Sequence, residues 1–322
     1  MLLDIEHRLS FDYDAYISES FMELRVHPKT TSEQTVNSFV LSVGPPTRVQ
    51  RYLDWNGNIT HHFTITRFHE RIEVLSRSVV STHPAAPPLP SITDAVAAGD
   101  LPYPLLDFVS FGGPVQLTPA LRATHKAAVP PRAATLGEHV QALSRHLASR
   151  FEYQKDVTKY DSTTEDFLRI GAGVCQDFTH LMLGLLRLSQ IPCRYVSGYL
   201  HIERTRREVS QSHAWIEFWT PSHGWVPFDP THDRPVDEHY VVVGHGRHYD
   251  DVPPNKGIYR GLAEETLRAE VHTQPSTAKA LPQLTSETRP ILLQTFREAP
   301  ARRPSSVVGQ PEDEQQQQQQ QQ

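Results

Sequence analysis

The stretch GVCQDFTHLMLGLLRLSQIPCRYVSGYL, Gly173 to Leu200, holds both cysteines of the 322-residue chain. Phe178, Leu181, Met182, Leu185 and Leu186 are spread over most of a helical circumference, the pattern of a helix buried on nearly all sides. Cys175 stands at the start of that helix, just after Gly171-Ala172-Gly173. Unpaired amide donors and the positive end of the helix dipole surround such a position and favour the thiolate, the reactive form of the side chain. Cys193 follows Ile191-Pro192 at the start of the strand-like run CRYVSGYL, with no acid–base partner in pattern, and reads as a small core residue.

Upstream, the period is two. Met22, Leu24 and Val26 alternate with Glu23 and Arg25, and Phe39, Leu41 and Val43 repeat the pattern, as half-buried strands do. Asn56-Gly57 sits between two such runs and predicts a tight hairpin. Residues 1–82 therefore read as an antiparallel β domain. Clustered prolines in Thr82–Pro90 remove amide donors and fix φ, so 83–130 is expected to be a linker with extended and short helical pieces. From about residue 131 the period lengthens, with Val140, Leu143, Leu147 and Phe151 on one helical face, and a second domain is expected over 131–262. STTEDFLRIG predicts a short helix capped by Ser162 or Thr163, with Glu165 and Asp166 at its positive end. Residues 263–322, ending in polyglutamine, show little periodicity and are expected to be disordered. The fold class that follows is α+β, an N-terminal antiparallel β domain of sandwich type beside a core in which the Cys175 helix packs on an antiparallel sheet.

Composition narrows the function. With 38% apolar and 21% charged residues, the chain reads as a soluble globular protein. No run reaches the roughly 18 apolar residues of a membrane span, and Asp4 and Glu6 interrupt the N-terminus, so a cytoplasmic protein with no membrane partner is expected. Two cysteines make no disulfide framework. A formal charge of −6 argues against nucleic acid, and the one basic cluster, Arg204, Arg206 and Arg207, is interrupted by glutamates and reads as a solvated hairpin tip. There are 18 histidines, densest at His61-His62 and His245–His248, yet none has the ligand pattern of a zinc site, and neither a metal nor another cofactor is expected.

A cysteine nucleophile needs a base. In SHAWIEFW, His213 faces the same side of its strand as Trp215, while Ala214 and Ile216 face the other. In GWVPFDPTHD, Asp229 ends an apolar strand that Pro230 stops. Neighbouring antiparallel strands present such an Asp and His side by side, so that the acid fixes the imidazole tautomer and stabilises its charged form.

Together with HYVVVGHGRHYDDVPPNKGIYRG, these segments resemble the bacterial transglutaminase-like family, whose core is related to papain-type cysteine proteases. The first eighty or so residues resemble the β-rich domain that accompanies that core. The resemblance runs over roughly residues 1–262 and implies Cys175 as nucleophile, His213 as general base and acid, and Asp229 as the orienting group. Cys193 departs from the family, which often has a small residue there, and so does His232, where asparagine is common after Asp-Pro-Thr. Acyl transfer through a thioester is implied, on a peptide or protein substrate. The Cys175 amide is the expected first donor to the tetrahedral oxygen, and Gln176, Gln154 and Tyr160 are candidates for the second. Trp215, Trp225 and Tyr199 are candidate cleft walls. Hydrolysis, as a protease or amidase, is the favoured reading. Transfer to an amine and a catalytically silent protein-binding module are the alternatives. Oligomeric state is not legible.

Overall fold

The computed structural model describes residues 1–83, 86–96, 101–130, 135–202, 212–277 and 287–300. Six strands open the chain: β1 (Leu2–Ile17), β2 (Glu19–Leu24), β3 (Gln34–Gly44), β4 (Gln50–Leu53), β5 (Ile59–Ile65) and β6 (His69–Thr82). Alternation gives each one apolar face, and the faces close against each other as a sandwich. Leu9, Phe11, Leu41, Val43, Ile72 and Val74 of one sheet share a core with Met22, Leu24, Phe63 and Ile65 of the other. Strands β4 and β5 form the expected hairpin. Its turn is built by Asp54, whose side chain accepts the Asn56 and Asn58 amides at 2.9 Å each, and by Gly57, whose φ of 69° suits a residue without Cβ.

Four helices follow, α1 (Pro119–Ala128), α2 (Leu136–Arg150), α3 (Thr164–Ile170) and α4 (Cys175–Leu188), with a two-residue parallel pair, β7 (Glu152–Tyr153) and β8 (Ala172–Gly173), at the entry to α4. Thr163, not Ser162, caps α3: its hydroxyl accepts the Asp166 amide at 3.3 Å and the Asp166 carboxylate returns the bond to the Thr163 amide at 3.1 Å. The core sheet is formed by β9 (Cys193–Leu200), β10 (His213–Thr220), β11 (Gly224–Asp229), β12 (Arg234–Pro235) and β13 (Tyr240–Gly246), in the spatial order β12-β11-β10-β9-β13, all antiparallel. Helix α4 lies between this sheet and the other helices. Phe178, Leu181, Met182, Leu183, Leu185 and Leu186 are all within 3% of full burial. Each such side chain contributes about 1.5–3 kcal/mol on leaving water. Cys193 is fully buried in the same core, as its sequence context predicts.

Two expectations are corrected. Segment 83–130 is more than a linker, since Leu89, Ile92, Val115 and Leu121 are buried in the same core as α4. Nor is the chain disordered from residue 263. Strand β14 (Asn255–Arg260) pairs with β2, β15 (Glu265–Pro275) runs along β1 for eleven residue pairs, and β16 (Thr288–Pro290) adds to β3 in parallel. These strands return the C-terminal part of the chain to the first sandwich, so the core extends to about residue 254 instead of 262. The sequence concealed β15 because only Val271 on it is buried. An edge strand held by its main-chain ladder needs no apolar alternation. The Arg204–Arg207 cluster and the polyglutamine end lie outside the described residues. Among the described residues no helix is long and apolar enough to cross a membrane.

Nine histidines are buried among the described residues, and four of them show what that interior does to the ring. His7 on β1 pairs with the Tyr199 hydroxyl at 3.0 Å, His139 on α2 with the Ser189 hydroxyl at 2.8 Å, His180 on α4 accepts the Tyr249 amide at 3.2 Å, and His61 lies in the β5 ladder. Burial disfavours the charged ring in each, lowering His7 and His139 to about 4 and His61 and His180 to about 3. The unfolded chain protonates these rings near pH 6.5 while the folded chain does not, so their stabilising contribution is complete above that pH and falls as pH drops toward 4 and then 3. Each group contributes about 1.4 kcal/mol per pH unit over its window. The melting temperature is therefore expected to fall steeply between pH 6.5 and 4. A calorimetric series showing a flat Tm across that range would contradict the assignment of these rings as buried and neutral.

Candidate active site

The entry to α4 is shaped by Asp177. Its carboxylate accepts the Val174 amide at 2.8 Å and the Thr158 hydroxyl at 2.7 Å, satisfying a donor at the helix start. A side chain on Gly173 would sit 2.5 Å from the Asp177 carboxylate, so the close approach of strand and helix needs glycine there. Cys175, half-buried, is the first residue of the helix, and its amide has no acceptor among the described residues.

His213 opens β10 opposite Gly198 of β9. Asp229 ends β11, the strand paired with β10 on its other side. The imidazole donates from Nε2 to Asp229 Oδ2 at 2.8 Å. Asp229 is fully buried and heavily partnered. Oδ2 also accepts the Tyr240 hydroxyl and His232 Nδ1, both at 2.7 Å, and Oδ1 accepts the amides of Thr231 and His232 at 2.8 and 3.3 Å. Burial alone would raise this carboxyl. The imidazole donors outweigh it and hold Asp229 far below the usual carboxylate range. Burial likewise opposes charge on His213, but its bond to Asp229 and its hydrogen bond and charge interaction with Cys175 push the ring up to about 10. Imidazolium is thus the stable form at neutral pH, bridged between sulfur and carboxylate.

Cys175, His213 and His232 line one cavity of about 420 Å³, together with Gln176, Tyr195, Ser197, Tyr153 and Lys155. Of the candidate second donors, Gln176 lines the cavity, with its amide donating to the Tyr160 carbonyl at 2.8 Å. Gln154 and Tyr160 are exposed and lie outside the cavity lining. Two of the expected cleft walls belong elsewhere. Trp215 stacks beside His213 but is fully buried and, with Trp225, lines a second cavity of about 320 Å³, where Arg194 and Glu217 pair at 2.6 Å. Tyr199 is buried between the core sheet and the β1 sheet, among Leu3, Ile5, Val80 and Val241. It faces the same side as Tyr195, but the N-terminal sheet covers that end of the strand.

Sequence reading missed Tyr240 and Tyr195 and underrated His232. Tyr240 is the first residue of the quoted run YVVVG, and nothing local marks its hydroxyl as an Asp229 partner. His232, three residues past Asp229 in a turn, carried the stronger signal. The ligand atoms of His213, Asp229 and His232 lie within 4.8 Å of one another, as do those of Asp237, Glu238 and His239. In the first group, Asp229 Oδ2 already accepts three hydrogen bonds. The histidine pairs singled out by composition, His61-His62 and His245–His248, are in neither group.

Comparison with known proteins agrees with this architecture. Residues 124–230 match the transglutaminase-like superfamily and residues 3–81 the bacterial transglutaminase-like N-terminal region. An uncharacterised protein of Mycobacterium leprae is 38% identical over 270 residues, 82% of this chain and 95% of that one. A protein-glutamine gamma-glutamyltransferase of Pseudomonas aeruginosa is 28% identical over 157 residues, 41% of this chain but 24% of that larger protein. A provisionally assigned cysteine protease of Cytophaga hutchinsonii shares the fold with a TM-score of 0.70 and 20% identity, covering 89% of this chain and 94% of that one.

Accessibility and charge separate the two thiols. Cys193 is fully buried and pushed up by burial to about 11, while Cys175 opens on the cavity beside an imidazolium. Iodoacetamide at pH 7 is expected to label Cys175 at least about 100-fold faster than Cys193, because alkylation follows thiolate and access. Peptide mapping that found comparable rates would remove the distinction.

Proposed function

Because the chain belongs to the bacterial transglutaminase-like family, uniting its N-terminal region with a transglutaminase-like core, we propose that it cleaves carboxamide or peptide bonds through a thioester on Cys175, with water as the principal acyl acceptor. The observation that carries this reading is a half-buried sulfur at a helix start and an imidazole on one cavity, with the imidazole bonded to a buried, fully hydrogen-bonded carboxylate.

In this reading the Cys175 sulfur attacks the carbonyl carbon of a bound carboxamide. Charge gathers on the carbonyl oxygen, and the unpartnered Cys175 amide is the donor nearest to meet it. His213 gives its proton to the departing nitrogen, the C–N bond breaks, and a thioester remains. Neutral His213 then takes a proton from the acceptor, the C–S bond breaks, and the sulfur–imidazolium pair is restored. Asp229 holds the ring in the tautomer that presents Nδ1 to sulfur and stabilises the cation, remaining ionised throughout. Gln176 is the candidate second oxyanion donor, since it lines the cavity and Gln154 and Tyr160 do not. Transfer to a primary amine is the second reading, supported by the activity in the name of the Pseudomonas aeruginosa relative. Both acceptors would resolve the same thioester. Cytoplasmic residence is proposed on the ground that both cysteines are free thiols, the state a reducing compartment maintains.

Cys175→Ala is expected to abolish turnover of a peptide-carboxamide library, with folding intact by circular dichroism. Retained turnover in that variant would refute the thioester. Asp229→Asn is expected to lower kcat by about 10⁴ through loss of the correct tautomer. The alkaline limb of kcat/KM reports the loss of the His213 proton, and activity is therefore expected to persist above neutrality and decline as pH rises through about 10. In Asp229→Asn the limb should move to lower pH, because the partner that raises His213 has been neutralised. A limb in the same place in both proteins would detach Asp229 from His213.

A further inference from the structure

Two imidazoles, not one, are seated on Asp229. His232 donates from Nδ1 to the same Oδ2 that holds His213, and the two rings are 5.3 Å apart between centroids. An ionised carboxylate only accepts, so a proton sits on His232 Nδ1, and in the neutral ring Nε2 is the nitrogen that carries the lone pair. Among the described residues that nitrogen has no hydrogen-bond partner, and the side chain, 40% exposed, lines the cavity that holds Cys175.

The turn that carries the ring is anchored on both sides. Asp229 Oδ1 takes the Thr231 and His232 amides, and Asp233, at a φ of 50°, accepts Ser144 at 2.5 Å and Gln141 at 3.1 Å from α2. A basic nitrogen held this firmly at the wall of a reaction cavity has the build of a proton acceptor.

We propose that His232 is a further catalytic residue, the base that prepares a primary amine acceptor for attack on the Cys175 thioester. The inference rests on the thioester reading and assigns the second imidazole its step. Water must give up one proton as it attacks, and neutral His213 suffices for that. An aliphatic amine enters as an ammonium ion near neutral pH and must lose two. His232 Nε2 takes the first, freeing the nitrogen lone pair. The C–N bond forms, the C–S bond breaks, the second proton passes to His213, and His232 returns its own to solvent. Sulfur leaves as thiolate beside a restored imidazolium, and every proton is accounted for.

One acyl-enzyme partitioning between two acceptors gives the test. Wild type and His232→Asn are acylated by the p-nitrophenyl ester of an N-blocked glycine in the presence of the primary amine cadaverine at pH 7, and amide and free acid are counted by mass spectrometry. Asparagine keeps a donor for Asp229 but has no basic nitrogen. The amide-to-acid ratio is expected to fall about 100-fold or more in His232→Asn, in keeping with the size of general-base effects. Once the amide and acid formed without enzyme are subtracted, the ratio does not depend on the fraction of enzyme that folds or on the acylation rate. At pH 10, where much of the amine enters neutral, the two proteins should converge. An unchanged ratio at pH 7, or a wild type that forms no amide, overturns the role of His232. Absence of any acyl adduct on Cys175 in the intact mass would instead overturn the thioester itself.

Discussion

A helix that is apolar around nearly its whole circumference is stable only when enclosed, and α4 imposes that constraint on everything near it. The β9–β13 sheet covers one side and α1, α2 and α3 cover the others. Enclosure leaves the helix open to solvent only at its ends. The N-terminal end is consequently where side chains of α4 meet both water and unpaired amides, and Cys175 stands first there. Asp177 and Gly173 bring the same end close against β8, which pairs with β7. Chemical opportunity here is a by-product of packing.

Asp229 answers a second constraint. A carboxylate with no exposed surface is costly unless its lone pairs are filled, and five donors fill them. Those donors arise from three separate places: the β10 start, the turn after β11, and β13. Satisfying one buried charge therefore fixes the relative positions of most of the core sheet, including the ring of His213. Tyr240 is itself held by Arg234 at 3.0 Å, so the network reaches the protein surface through a cation.

Much of this was legible in the chain. The buried helix, the cysteine at its start, and the strand positions of His213 and Asp229 follow from period and punctuation, and the alternation before residue 82 marks the sandwich. What escaped was governed by contacts distant in sequence. Tyr199 and Trp215 look like cleft aromatics in the sequence, yet one is covered by the N-terminal sheet and the other lines a second cavity. Gln154 and Tyr160 are candidates by sequence but do not line the cavity of Cys175. Strand β15 was invisible for the opposite reason, since its polar, exposed side chains satisfy only a backbone ladder that no local pattern announces.

The pairing of β14 with β2 and of β15 with β1 gives the polypeptide an order of events during synthesis. On the ribosome, the first six strands emerge early but lack two of the neighbours that finish their sheets, and the whole helical and catalytic portion must be made before those neighbours arrive. Until then the nascent sandwich offers bare hydrogen-bonding margins to any other chain nearby. Its completion is tied to strands translated after the whole cysteine core, so a product interrupted between the two would carry a finished core on an unfinished support.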